Sequence, residues 1–175
     1  VIWQTNFTDR CTLPVYLNYL FNRIISPTYA YRFHITERRR EFISEHCDAG
    51  TLAMYDRLQI GAAQADFWRV IVLHQAGGVY LDIDAHALRP LEFILKDDDS
   101  EAYVKTRRGD LSNYFMASAP GNPNLERIIA QIRLNIAQPQ GNNVFDITGP
   151  GVFNRLLDVG QVNTCLYKTT CAQGT

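Results

Sequence analysis

The sequence predicts an α/β fold with a mostly parallel sheet. Two observations carry that reading: short β-branched and aromatic runs alternate with helical apolar patterns, and no repeat or linker divides the chain. The 175 residues are 46% hydrophobic and 20% charged, the balance of a globular domain, so residues 1–175 are expected to form one domain. Seventeen Lys and Arg face 18 Asp and Glu, a net charge of -1 that argues against a basic nucleic-acid binder. No apolar run approaches the ~20 residues that cross a bilayer.

The elements follow in order. Val1-Ile2-Trp3-Gln4 reads as an opening strand. In residues 12–24, Leu13, Leu17, Leu20, Phe21 and Ile24 share one helical face, and Pro14 sits where a first turn tolerates it. Ser26-Pro27-Thr28 breaks that helix, and residues 29–35 form a second strand. A helix then starts at Thr36, with Phe42 and Ile43 inward and the Arg38-Arg39-Arg40 run expected on its solvated face. Residues 61–75 hold no breaker and read as a largely buried helix, stopped by Gly77-Gly78 as a left-handed cap requires. Residues 79–83 make a short apolar strand. Residues 102–106 and 114–118 are strands joined by the polar turn Arg107-Arg108-Gly109-Asp110. Pro123 opens a helix through Ile136, and a last helix covers residues 152–157.

The four cysteines, Cys11, Cys47, Cys165 and Cys171, form no CxxC pair, which argues against zinc. Cys165 and Cys171 suit a small disulfide loop in a secreted chain, but four free thiols in a reducing compartment are expected.

The chemistry concentrates in Gly77-Gly78-Val79-Tyr80-Leu81-Asp82-Ile83-Asp84. Two carboxylates one residue apart on a strand point to the same face. At about 5–7 Å they repel unless a cation or donors neutralise them, and at a strand end they suit a hard divalent ion with positions left for phosphate oxygens. On the preceding helix, Asp66 and Arg69 are neighbours on a face of an otherwise apolar helix, where a charged pair faces a polar cavity.

These residues resemble a known family. Ala63-Gln64-Ala65-Asp66-Phe67-Trp68-Arg69, then Leu73 and the Gly77 to Asp84 run, are similar to the DXD sugar-binding core of glycosyltransferase family 32, to which the clostridial glucosylating toxins are related. Ile2-Trp3-Gln4-Thr5, Pro27-Thr28-Tyr29-Ala30-Tyr31, Asn113-Tyr114-Phe115-Met116-Ala117-Ser118-Ala119-Pro120 and Thr148-Gly149-Pro150 match outlying segments in the right order.

The resemblance implies a GT-A type nucleotide-diphosphosugar transferase fold and metal-dependent transfer of a sugar from a UDP- or GDP-sugar to a saccharide or glycoconjugate hydroxyl, with retained configuration. It implies that Asp84, with Asp82, ligates Mn²⁺ or Mg²⁺ and that both acids are catalytic. Asp66, Arg69 and Asp82 would hold the donor sugar, and Ile2, Trp3, Gln4 and Tyr80 the nucleotide, with Trp3 stacked on the base. Retaining enzymes of this kind are thought to react by front-face attack, so no catalytic base is named; Asp110 and Asp146 are candidates to approach the acceptor. Residues 97–113, with Asp97-Asp98-Asp99 and Arg107-Arg108, are the candidate acceptor loop.

No His follows His86, itself read as a solvent-facing turn residue, so Asn154, Asn163 or C-terminal elements outside these 175 residues are the candidates for a further ligand. A non-catalytic nucleotide-sugar binder and a D-x-D phosphohydrolase are the other readings. A bacterial cytoplasmic enzyme, peripheral to the membrane, is expected, with the Golgi lumen as alternative.

Overall fold

The computed structural model describes residues 1–96, 99–138, 143–166 and 171–173. In chain order the strands are β1 (Ile2–Thr5), β2 (Tyr31–His34), β3 (Gly78–Leu81), β4 (Ala85–Ala87), β5 (Glu101–Lys105), β6 (Leu111–Ser118), β7 (Thr164–Leu166) and β8 (Cys171–Gln173). The helices are α1 (Leu13–Ile25), α2 (Thr36–His46), α3 (Ala49–Asp56), α4 (Gly61–Ala76), α5 (Leu91–Ile94), α6 (Pro123–Ala137), α7 (Val144–Ile147) and α8 (Pro150–Leu156). Six strands form one sheet in the order β2-β1-β3-β6-β5-β7. β1 is parallel to β2 and β3, β6 is antiparallel to β3 and β5, and β7 joins β5 in parallel. β4 and β8 make a separate two-stranded ribbon that pairs Ala85 with Gln173.

The sheet is covered on both faces. On one side Phe67, Trp68, Ile71, Ile128, Ile132 and Phe153 pack against Trp3, Tyr80, Tyr103 and Met116. On the other, Ile2, Val79, Leu81, Val104 and Phe115 meet Ala85, Ala87 and Leu91. The expected stop of α4 is present: Gly77 and Gly78 have φ of 65° and 103°. A Cβ on Gly78 would lie 2.7 Å from the Val1 carbonyl oxygen, so only glycine lets β3 pass the chain start. The 107–110 turn joins β5 to β6, with Gly109 at φ 95° and the Thr106 amide donating to Asp110 O at 2.8 Å.

α1 departs from its expected orientation. Leu13, Leu17, Phe21 and Ile24 face outward, with Leu13 68% and Ile24 75% exposed, while Asn18 and Asn22 are buried. Asn18 Nδ2 donates to the carbonyls of Ile83 (2.9 Å) and Ala85 (2.8 Å). Asn22 Nδ2 donates to Ala85 O at 3.0 Å, and its Oδ1 accepts from Ala87 N at 3.0 Å. A helix rotated to bury its leucines would leave these main-chain groups unpaired inside the protein, at a cost of about 1–3 kcal/mol each.

Two further expectations are corrected. In the Arg38-Arg39-Arg40 run, Arg38 and Arg40 are solvated and paired with Glu41 and Asp56, but Arg39 is buried. His86 lies in β4, half-buried, its ring 6.2 Å from that of Phe21, rather than in a solvent-facing turn. Cys165 Sγ lies 3.5 Å from Tyr103 O in β7; the Cys171 side chain and residues Asp97 and Asp98 lie outside the described residues. No helix among the described residues is long and apolar enough to cross a membrane.

Replacing Asn22 by Ala is expected to lower the unfolding free energy by about 2 kcal/mol in urea denaturation, whereas Leu17→Ser changes it by less than ~0.5 kcal/mol. The reverse order would mean that the apolar face carries the helix.

Candidate active site

The site forms where α4, β3 and β6 meet. α4 is buried against the sheet along most of its length, and Asp66 and Arg69, one turn apart, are the charged residues among its buried positions. Arg69, 6% exposed, is the hub. Its NH2 lies 3.1 Å from Asp66 Oδ1 and its NH1 3.3 Å from Asp82 Oδ1. NH1 also donates to Asn113 O at 2.7 Å, and the guanidinium carbon lies 4.3 Å from the centre of the Tyr80 ring. The Tyr80 hydroxyl donates to Asp82 Oδ1 at 2.6 Å. Asp66 is completed by Asn113 Nδ2 at 3.0 Å on Oδ1 and Thr148 Oγ1 at 3.5 Å on Oδ2.

Asp82 and Asp84 do not continue β3. The chain turns after Leu81, with the Ala85 amide bonded to Asp82 O at 2.9 Å. The two acids converge through that turn rather than through strand alternation: Gln173 Nε2 donates to Asp82 Oδ2 at 3.1 Å and to Asp84 Oδ1 at 3.3 Å. One amide nitrogen thus occupies a point that both carboxylates address. Asp66 and Asp82 share one guanidinium while Asp84 pairs with no cation among the described residues, and this surplus of negative charge with hard oxygen donors fits a divalent cation between Asp82 and Asp84. Among the described residues no group of three or more His, Cys, Asp or Glu stands ready as a complete ligand set. Asn154 is committed to the main chain of Leu111 and Pro150, and Asn163 to Asp99.

A cavity of about 330 Å³ opens beside the acids, lined among others by Thr5, Asn6, Arg39, Arg69, Tyr80, Asp82 and Asp84. Of the expected nucleotide contacts only Tyr80 reaches it. Ile2 is packed under the sheet, and Trp3 is a core residue, 8% exposed, donating from Nε1 to Gly77 O at 2.8 Å and edge-packed on Phe42 and Trp68. Trp3 sits mid-strand, so helices cover its ring; the strand end supplies Thr5 and Asn6 instead. Gln4 lines a neighbouring cavity of about 260 Å³ with Tyr16, Tyr19, Tyr31 and Phe33. Arg39, Asn113, Thr148 and Gln173 are site residues that local sequence reasoning missed.

The electrostatics follow from burial. It pushes the Asp66 and Asp82 carboxyls above the ordinary carboxylate range, against Arg69 and their hydrogen-bond donors, and the Asp84 charge pushes Asp82 the same way. Burial opposes the charge on Arg69, but Asp82, Tyr80 and Asp66 hold it above its usual value.

A central sheet with an acidic turn after its middle strand is the architecture of GT-A glycosyltransferase domains. PaToxG glycosyltransferase superposes with a TM-score of 0.73 at 16% identity, over 89% of this chain and 66% of that one. The UDP-bound glycosyltransferase domain of the YGT toxin gives 0.56 at 13%, over 85% and 54%. The chain belongs to the family described as "Glycosyltransferase sugar-binding region containing DXD motif", whose profile matches residues 14–101, half of the chain, Asp82-Ile83-Asp84 included. Two Schizosaccharomyces pombe proteins are similar to it. Inositol phosphoceramide mannosyltransferase 3 is 31% identical over 109 residues, 62% of this chain and 30% of that protein. The initiation-specific alpha-1,6-mannosyltransferase is 27% identical over 183 residues, 87% and 46% respectively. The chain therefore spans less than half the length of these relatives.

Arg69→Met, which orphans two buried carboxylates, is expected to cost about 3–5 kcal/mol of stability at pH 7. Carboxyls whose folded pKa is raised bind protons more readily in the native state, so their contribution is retained at low pH and lost as pH rises through the folded pKa. Urea melts should therefore show a smaller deficit at pH 5 than at pH 7; a deficit that does not shrink would place the carboxylates outside the effect.

Proposed function

We propose that residues 1–175 form a single catalytic domain that moves a sugar from a nucleoside-diphosphate sugar to a hydroxyl of a saccharide or glycoconjugate, dependent on Mn²⁺ or Mg²⁺ and with retained configuration. The observation that carries this reading is the convergence of Asp82 and Asp84 on one point at 3.1 and 3.3 Å, beside the buried Asp66–Arg69 pair. The mannosyltransferase names of the relatives and the UDP in the YGT toxin domain support a nucleotide-sugar donor.

In this reading Asp84 and Asp82 hold the cation, with Gln173 yielding its place. A divalent ion supplies Lewis-acid stabilisation for the charge that develops on the departing diphosphate. Asp66 Oδ2, whose contact to Thr148 is long, accepts from donor-sugar hydroxyls, and Arg69 keeps Asp66 and Asp82 charged and fixed at once. Tyr80 occupies Asp82 Oδ1, which leaves Oδ2, now bonded to Gln173, as the oxygen that would take a cation. The acceptor oxygen bonds to the anomeric carbon as the bond to the β-phosphate oxygen breaks; the nucleoside diphosphate leaves with the electron pair, and the acceptor hydroxyl's proton passes to that departing oxygen. Positioning and exclusion of water carry the step, and no carboxylate is assigned as base.

The acceptor enters from the other side of Gln173. A cavity of about 490 Å³ lies there, lined by Thr106, Arg107, Arg108, Asp110, Tyr114 and Gln173, which supports the expected acceptor loop as far as its described residues reach. Asp146 is drawn away from that role by its ion pair with Arg155.

Thermal-shift titration with UDP, GDP and their sugars is expected to raise the melting temperature only with Mn²⁺ or Mg²⁺ present, because a ligand of the native state stabilises by mass action. Asp84→Ala should lose the metal-dependent part, and an unchanged metal dependence would remove Asp84 from the ligand set. Asp66→Asn should weaken the nucleotide-sugar more than the free nucleotide; equal losses would argue against a sugar contact. Release of free nucleotide on adding a mixed saccharide acceptor separates a transferase from a pure binder.

A further inference from the structure

The same cavity also carries the opposite chemistry. Thr5, Asn6, Arg39, Gly61 and Ala62 line it. Arg39 is 2% exposed and forms no ion pair among the described residues. Its NH1 donates to Thr5 Oγ1 at 3.1 Å and its NH2 to Thr36 Oγ1 at 3.0 Å, while its Nε has no hydrogen-bond partner. The Tyr55 hydroxyl lies beside this guanidinium, outside hydrogen-bond geometry. A guanidinium carries five N–H donors and no acceptor; with Nε shielded, one N–H on each of the two terminal nitrogens is uncommitted.

A second set of donors meets it. α4 begins at Gly61 after Ile60, which offers no side-chain cap, and the first helical bond of that turn runs from Gln64 N to Ile60 O. The amides before Gln64 therefore lack helical acceptors, and the position a Gly61 Cβ would take is open, with nothing within 4 Å. Buried cation and uncapped helix start together make a wall of donors.

An edge that binds there must be all acceptor. Resting on the transferase reading above, which puts the sugar at Asp66 and the diphosphate at Asp84, this wall meets the nucleobase. Guanine presents O6 and N7, two acceptors spaced for a guanidinium fork. Uracil's imide edge sets an N–H between its two carbonyls, and adenine and cytosine present amino donors. We propose that Arg39, with the start of α4, reads the base of the donor and selects guanine over uracil.

Calorimetric titration of the whole chain with GDP, UDP, ADP and inorganic pyrophosphate, all with Mg²⁺, tests this. GDP is expected to bind about tenfold or more tighter than UDP and ADP, the discrimination of one good bidentate contact. Arg39→Gln should bring GDP to the level of UDP while leaving pyrophosphate within about twofold, since the cation site does not use Arg39. UDP binding as tightly as GDP in the wild type, or a GDP preference that survives Arg39→Gln, overturns the proposal. Should circular dichroism show that variant unfolded, Gly61→Pro stands in: Pro suits a first helical position, and Ile60 already has the extended backbone (φ -99°, ψ 121°) that precedes proline. It removes one amide donor and should narrow the GDP preference about threefold or more; an unchanged preference overturns the proposal. A wild type that binds pyrophosphate but no nucleotide preferentially sinks the base site alone, and one that binds none of the four sinks the transferase reading with it.

Discussion

Arg69 is the constraint on which the rest of the site depends. Its guanidinium is placed by α4, yet it reaches Asp66 on its own helix, Asp82 in the turn after β3, the Asn113 carbonyl on β6 and the face of Tyr80. Three segments, α4, β3 with the turn after it, and β6, are thereby fixed around one group that stays charged at any ordinary pH. Without it, two carboxyls already pushed toward neutrality by burial would take up protons, and an acid that is protonated holds neither a cation nor a sugar hydroxyl in the same way. The apolar bulk of α4 serves this end: it fixes the helix axis, so the one polar patch on it points where the sheet opens.

Acids in the turn after β3 and donors at the start of α4 line the same cavity, and neither needs a positively charged surface. The net charge of -1 reflects this, since the cations that matter are buried and few.

Much of this was legible locally. The breaker-free run of α4, the paired glycines, the β5–β6 hairpin and the Asn122-Pro123 start of α6 each carry their own signal, and each is found in place. The D-x-D pair was legible as chemistry but not as geometry, because a strand and a tight turn both bring alternate residues together. Arg39 was misjudged by treating three arginines as a unit. It lies three and four residues before Phe42 and Ile43, the inward positions of the same helix, so helical spacing alone separates it from Arg38 and Arg40. Trp3 was misjudged because a sheet covered on both faces buries alternate side chains equally. Gln173 left no local trace, and Asn113 and Thr148 stood out only as members of outlying segments similar to the family: all three arrive by strand pairing or chain return, from 91, 47 and 82 residues away.

α1 gives a different lesson. Its asparagines grip carbonyls and an amide of residues 83–87, never a side chain there. A clamp of that kind is indifferent to spelling. Ile83, Ala85 and Ala87 can be exchanged for other residues that fit the space, and Asp84 still stands where it did, because what is held is the path of the main chain. The turn that carries the acids can drift in sequence while the position of its charge is inherited intact from two amide side chains on a neighbouring helix.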